Sequence, residues 1–369
     1  MKILQLMDYP IDKIEKYISD GNLHQEHNLY GYILMKNKKI DVTWDSPNHN
    51  NKVLKFFQFN LGFGYNVMRL YPQISCLWKC KDYDIIYVPH DMHLLVLSIF
   101  RLIKICRKPI YVICHFSYNL NFVENKYKKF YKSIERYFVY KGIDKISFTN
   151  EKIMNLAISD YNVPLRHRNF VNWGANIDFF KISNEKSEDN NYFVSAGNAN
   201  RDYNKLIEAF NGLNKELKIF SNKTEKDFET SIPNNVKFYN LFKYGLSGMS
   251  YLKDYYNGCI AILLPIMRSN DVPNGSTVLI EALAVGKPLI VSDFETNYID
   301  VEKEGVGIKI KNNSIDEWKK AILFLIKNPD VVKKMGENAK KLAIEKYNYI
   351  NFTNNVIINL KKIYQSEKK

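Results

Sequence analysis

The chain has 369 residues, 46% of them hydrophobic and 25% charged, with 53 Lys and Arg against 39 Asp and Glu. Such a length holds two domains of ordinary size, and the balance is that of a soluble globular protein, which excludes collagen-like and disordered classes. The formal charge of +14 points to anionic partners: nucleic acid, an acidic membrane surface or a phosphorylated substrate.

Lys2 to Met7 reads as a first strand, and the apolar start is too short for a signal peptide. A polar run follows from Ser19 to Gly31, rich in turn formers and containing His24 and His27; a solvated loop is its simplest reading. Asp84–Pro89 and Pro109–Cys114 are further strands, each followed directly by a histidine, His90 and His115. Ligands of open α/β sheets bind at the carboxyl ends of strands, so both are candidate site residues, with a hydrogen-bonded loop histidine as the alternative. The apolar run from Leu94 to Ile105 is broken by Arg101 and Lys104 and is no membrane span. These features together suit a cytoplasmic protein. Five cysteines without paired spacing give no disulfide framework. Cys76 and Cys80 lack a second pair, which argues against zinc and for structural thiols.

Between Arg101 and Lys145 stand eleven basic residues and three acidic ones, interleaved from Tyr127 to Tyr140 with six Tyr and Phe. A basic helix carrying aromatics suits an interfacial membrane contact. A solvated helix with its aromatics turned to the core has the same pattern. RNA-binding signatures are lacking, so no nucleic-acid partner is expected. Lys145–Thr149 is another strand, with a helix after it to about Tyr161. The segment 181–191 is polar and aperiodic and reads as the domain boundary.

The second half restarts the alternation. Tyr192 to Ala209 reads as strand, glycine loop at Gly197, and helix; Glu216–Phe220 and Asn235–Tyr239 are short strands, and a helix runs from Tyr251 to Cys259. Then come the apolar strand Ala261–Pro265, a helix opening at Asn274-Gly275-Ser276-Thr277 and stopping at Gly286-Lys287-Pro288, and the strand Leu289–Ser292. Helices from Ile315, Val331 and Phe352 complete the chain. A helix that opens on small residues offers free amides and a positive dipole end, an anion site. Glu281 falls one turn further, about 6 Å along the axis. Amides of Ser276 and Thr277 on a diphosphate, with Glu281 on ribose hydroxyls, would grip one nucleotide by two parts. Ordinary helix punctuation with an exposed Glu281 fits the spacing as well.

The run Gly275-Ser-Thr-Val-Leu-Ile-Glu281-Ala-Leu-Ala-Val-Gly-Lys-Pro288 resembles the donor-binding signature of the GT-B glycosyltransferases of the retaining group 1 family. Phe170 to Phe180 is similar to that family's approach to the interdomain linker. The resemblance implies two Rossmann-like parallel-sheet domains facing a cleft: an acceptor domain over 1–180 and a nucleotide-sugar domain over 191–350. The terminal helix, 351–369, then crosses back to the first. By the same resemblance Glu281 binds the ribose, Gly275, Ser276 and Thr277 lie on phosphate and sugar, His115 approaches the reacting sugar, and Gly21 and His27 belong to a loop after the first strand that faces the acceptor. The family's Gly-Arg after the first strand of this domain is here Gly197-Asn198, with Arg201 in its lysine's place; Arg201 is thus the chosen neutraliser of the leaving diphosphate and Lys205 a second. The usual second acid, eight residues before Glu281, is replaced by Pro273, which removes the usual hold on the sugar ring. The resemblance also implies that Ser221 or Leu241, at the ends of the next strands, borders the base by backbone contact.

The implied activity is a metal-independent transfer of a hexose from a nucleotide-sugar without a protein nucleophile, with a UDP-sugar as first donor and a GDP-sugar as second. No cofactor is implied. The basic aromatic segment suggests a lipid-linked or surface glycan as acceptor. Two rival readings stand beside this one: a sugar-nucleotide epimerase or hydrolase of the same fold, and a binder of nucleic acid or anionic surfaces.

Overall fold

The computed structural model describes residues 1–46, 66–90, 94–115, 126–181, 191–228, 231–267, 275–293, 298–311 and 313–367. Two parallel sheets carry the molecule. The first contains β1 (Lys2–Leu6), β2 (Asp41–Asp45), β3 (Ile85–Val88), β4 (Ile110–Cys114) and β5 (Lys145–Phe148), in the order β2-β1-β3-β4-β5. The second contains β6 (Tyr192–Ala196), β7 (Glu216–Phe220), β8 (Val236–Tyr239), β9 (Ile262–Leu264), β10 (Leu289–Ser292) and β11 (Gly307–Ile310), in the order β11-β10-β9-β6-β7-β8. Every strand pair in both sheets is parallel. Central strands such as Ile110–Cys114 and Tyr192–Ala196 are buried throughout, which explains their continuous apolar runs in place of alternation.

Both sheets reverse winding direction at an internal point, between β1 and β3 in the first and between β6 and β9 in the second. The loops leaving the carboxyl ends of those strands cannot cross, so they open a crevice there. The elements read from sequence are present within a few residues. Strands β2 and β11, both at sheet edges, are additional; β2, Asp-Val-Thr-Trp-Asp, is half exposed and lacks an apolar run. The boundary segment read at 181–191 lies almost wholly outside the described residues.

The chain returns from the second sheet to the first. The last helix, Tyr349–Ser366, places Asn359 Nδ2 3.2 Å from the Tyr111 hydroxyl on β4 and Lys38 Nζ 2.8 Å from Asn354. At the crossing a Cβ on Gly174 would come within 1.9 Å of the Tyr347 backbone, a spacing that only glycine permits. Close by, the buried Tyr298 hydroxyl lies between the carbonyls of Thr149 at 2.8 Å and Trp173 at 3.0 Å, and Asn150 donates to the Tyr298 carbonyl. These polar contacts tie the two halves together. All five cysteines are free and buried.

Candidate functional site

The helix Ser276–Val285 is the central element of the site. Its N-cap is Gly275, which brings no side chain to the first-turn amides. Every residue from Val278 to Val285 is buried, so the helix is apolar all round and passes through the core. Glu281 is only 1% exposed, which removes the exposed-helix-former alternative.

A cavity of about 550 Å³ opens at the switch point of the second sheet. Gly197, Asn198, Arg201, Gly275, Thr277 and Glu281 all line it, as do Ser221 and Leu241. Phe220, Met249, Leu252 and Val278 supply apolar wall. Phe220 is itself stacked on Tyr239, with ring centroids 4.8 Å apart.

Arg201 is 7% exposed, and its guanidinium donates through Nε to Ala196 O at 3.2 Å and through Nη1 to Ala199 O at 2.8 Å. Nη2 lies in the gap between Gly197 and Gly275: a Cβ on Gly197 would be 2.7 Å from it and one on Gly275 3.5 Å. Gly197 therefore has to be glycine twice over, for this approach and for its φ of +117°. Burial lowers the Arg201 pKa below its ordinary value, yet a guanidinium keeps its charge in any protein environment. The result is a fixed cation beside a helix N-terminus whose N-cap residue brings no side chain of its own.

Other expected residues sit differently. Asn198 spends its carbonyl oxygen on the Asn222 amide at 2.7 Å and so ties two loops together where the family has arginine. Lys205 is not among the residues lining the cavity; its ammonium is 3.4 Å from Asp202 Oδ2 on the same helix. Ser276 opens the helix but is not among the residues lining the cavity. Asn274 and Pro273 lie outside the described residues.

The sequence reading assigned the first half to the acceptor side and did not see that it also reaches the donor cavity. The turn after β1 carries Gln25 and Asn28 to the same cavity, and it holds Glu26 and Tyr30 at φ of 50° and 51°. The adjacent His27 places Nε2 3.4 Å from Glu281 Oε1, while the Tyr256 hydroxyl is 3.5 Å from Oε2. The available signal was the polar run His24-Gln25-Glu26-His27-Asn28 itself, a cluster of hydrogen-bonding side chains in the segment after the first strand and helix.

A second, smaller cavity of about 260 Å³ lies at the switch point of the first sheet, lined by Asp8, Tyr9, Asn28, Tyr30 and His90 among others. Asn28 belongs to both cavities. His115 stands behind this lining. It stacks on His90 at 4.7 Å, meets Tyr30 and Trp173 edge-on, and donates from Nε2 to Pro89 O at 3.0 Å. Burial pushes its pKa down to about 4. Of the two histidines weighed from sequence, His90 holds the lining position and His115 braces it. Among the described residues no group of three or more His, Cys, Asp or Glu is placed to hold a metal ion.

The two-sheet architecture with facing switch points is the GT-B fold. Residues 176–342 match the family model described as Glycosyl transferases group 1, which bears out the resemblance carried by the Gly275–Pro288 run. An uncharacterized glycosyltransferase of Methanocaldococcus jannaschii is 23% identical over 95% of this chain and 96% of its own length. Among solved structures, HepE of Anabaena in complex with UDP-glucose superposes with a TM-score of 0.66 at 15% identity, over 98% of this chain and all of that one. Sucrose-phosphate synthase of Thermosynechococcus elongatus gives 0.71 at 12% identity, over 99% of this chain and all of that one. Residues 176–342 thus carry a match to the group 1 glycosyltransferases, within a GT-B fold.

Proposed function

We propose that the protein is a retaining glycosyltransferase that moves a sugar from a UDP-sugar to a hydroxyl of a lipid-linked or surface glycan. One observation carries this reading: a fixed guanidinium, the glycine-opened N-terminus of a helix and a buried carboxylate meet at one cavity at the switch point of the second sheet. The cation and dipole suit a diphosphate, and Glu281 one turn on suits the ribose hydroxyls. The apolar wall by Phe220 and Leu252 suits the base. The binding of UDP-glucose by HepE supports the choice of donor.

In this reading bond cleavage leaves negative charge on the β-phosphate, and Arg201 with the Ser276 and Thr277 amides stabilises it without a metal. The acceptor enters through the smaller cavity, whose junction at Asn28 brings its hydroxyl to the sugar. The departing phosphate takes the acceptor proton on the face it leaves, so the anomeric configuration is kept. His90, backed by His115, orients the sugar or the acceptor. A lipid-linked acceptor accords with the helix Lys126–Gly142, where Tyr127 is 86% and Phe130 68% exposed beside Lys126 and Lys129.

A thermal-shift series with UDP, GDP, CMP and dTDP tests the donor site. UDP is expected to raise the melting temperature most, since ligand bound only to the folded state stabilises by mass action. Glu281→Ala is expected to lose most of that rise. An equal response to all four nucleotides, or none to any, would sink the proposal. Incubation with UDP-glucose alone and with glycan acceptors then separates transfer from hydrolysis or epimerisation.

A further inference from the structure

One buried titratable side chain next to the cavity has no part in the chemistry just described. His27 lies in the single turn His27–Leu29 and is fully buried. Its Nδ1 is 3.0 Å from the Gln25 carbonyl oxygen. A carbonyl can only accept, so Nδ1 carries a proton. Nε2 faces the opposite way, toward Glu281 Oε1 at 3.4 Å, and among the described residues neither atom has a hydrogen-bond partner elsewhere. Were Nε2 bare, its lone pair would confront a carboxylate where water does not reach, an arrangement of two facing acceptors that burial penalises. A proton between the two atoms removes the conflict, whether the pair is imidazolium and carboxylate or imidazole and acid.

We infer that His27 is a positioning residue for Glu281: the proton shared between Nε2 and Oε1 keeps the carboxyl turned toward the ribose, so that nucleotide affinity in the second half depends on a side chain of the first. This rests on the reading of Glu281 as the ribose acceptor. The ring has little freedom to leave. Trp173 Nε1 donates to the His27 carbonyl at 3.2 Å, and the rings of Trp173 and Phe180 pack on the imidazole at 5.8 and 6.2 Å. The same turn sends Gln25 and Asn28 into the cavity, so withdrawing it would remove the proton and part of the wall together.

The test uses the full chain, titrated calorimetrically with UDP and with 2′,3′-dideoxy-UDP, which lacks the ribose hydroxyls. His27→Asn keeps an amide at the Nδ1 position for Gln25 but ends short of Glu281. His27→Gln carries its amide to the Nε2 position. For H27N the expected result is a loss of UDP affinity on the order of tenfold, the usual consequence of removing one partner of a buried charged group. H27Q should stay within about threefold of the parent, since its amide restores a donor there. The dideoxy analogue should bind all three proteins alike. Unchanged UDP affinity in H27N, an equal loss for both ligands, or no recovery in H27Q would each overturn the inference. Should H27N fail to fold, His27→Phe fills the same aromatic niche without a donor, and the same split between ligands is expected. An E281A control separates the two levels. If E281A binds UDP like the parent, both readings fall; if E281A is weakened and H27N is not, only the role of His27 falls.

Discussion

Gly197 shows how a residue with no side chain sets the chemistry of its neighbour. A methyl group there would press on Arg201 Nη2, 2.7 Å away, and would also force an L-residue to φ +117°. Gly197→Ala should therefore cost about 1–3 kcal/mol of stability and displace the guanidinium from the cavity. In a thermal melt with and without UDP, both the unliganded melting temperature and the UDP-induced rise should fall. A lower melting temperature with the full UDP response retained would show that Nη2 does not touch the diphosphate. At this scale the sequence was readable where spacing alone fixes position, as for Glu281 one helical turn past Thr277. It was unreadable where a partner arrives from another sheet: nothing in the order of residues says that His27 meets Glu281 across 254 positions. Lys205 is the converse case, a cation at a plausible spacing whose own helix supplies Asp202 as a nearer partner.

The helix Lys126–Gly142 carries the element-scale prediction. Tyr127, Phe130, Tyr131 and Tyr137 are exposed, whereas Val139 and Tyr140 are buried, so the pattern that sequence left open between membrane face and core divides between the two ends. Ile103 and Ile105 are also exposed, flanking Lys104, on the segment after the neighbouring helix Leu95–Leu102. Full burial of one large apolar side chain contributes about 1.5–3 kcal/mol, and each lysine near an anionic bilayer about 1 kcal/mol. Tyr127→Ser with Phe130→Ser should lower binding to vesicles containing anionic lipid by at least about tenfold, with UDP affinity unchanged. Binding by the parent should also weaken as salt rises. Parent protein that floats free of such vesicles at low salt would remove the membrane from the account. Among the described residues no helix is long and apolar enough to cross a bilayer. The sequence told the two ends of this helix apart poorly because Tyr and Phe serve equally as core and as interface.

Across the whole molecule, the alternation of apolar runs and amphipathic stretches was enough to give two parallel sheets, because fully buried strands have no other way to appear in sequence. Edge strands such as Asp41–Asp45 escaped, since their polar faces look like loops. Buried neutral histidines make the assembled fold sensitive to acid, and His167 is the clearest of them. It is fully buried. Its Nδ1 accepts from the Ile146 amide at 3.2 Å, which leaves Nε2 protonated and donating to Tyr140 O at 3.0 Å. Burial, the larger cause, lowers its pKa from 6.5 to about 4; a second proton would also have to displace the Ile146 bond. The unfolded chain thus binds a proton that the fold refuses, and stability present above pH about 6.5 is lost as pH falls toward about 4. At pH about 5 this one group should cost about 2 kcal/mol relative to pH about 7. His24, also buried and also held near 4, adds to the slope with the same sign. His167→Asn can still offer an oxygen to Ile146 but cannot titrate. Urea midpoints at the two pH values should therefore differ less in H167N than in the parent, by about 2 kcal/mol after multiplication by the urea slope. An equal difference in both proteins would mean that the acid response of the fold arises elsewhere than in this imidazole.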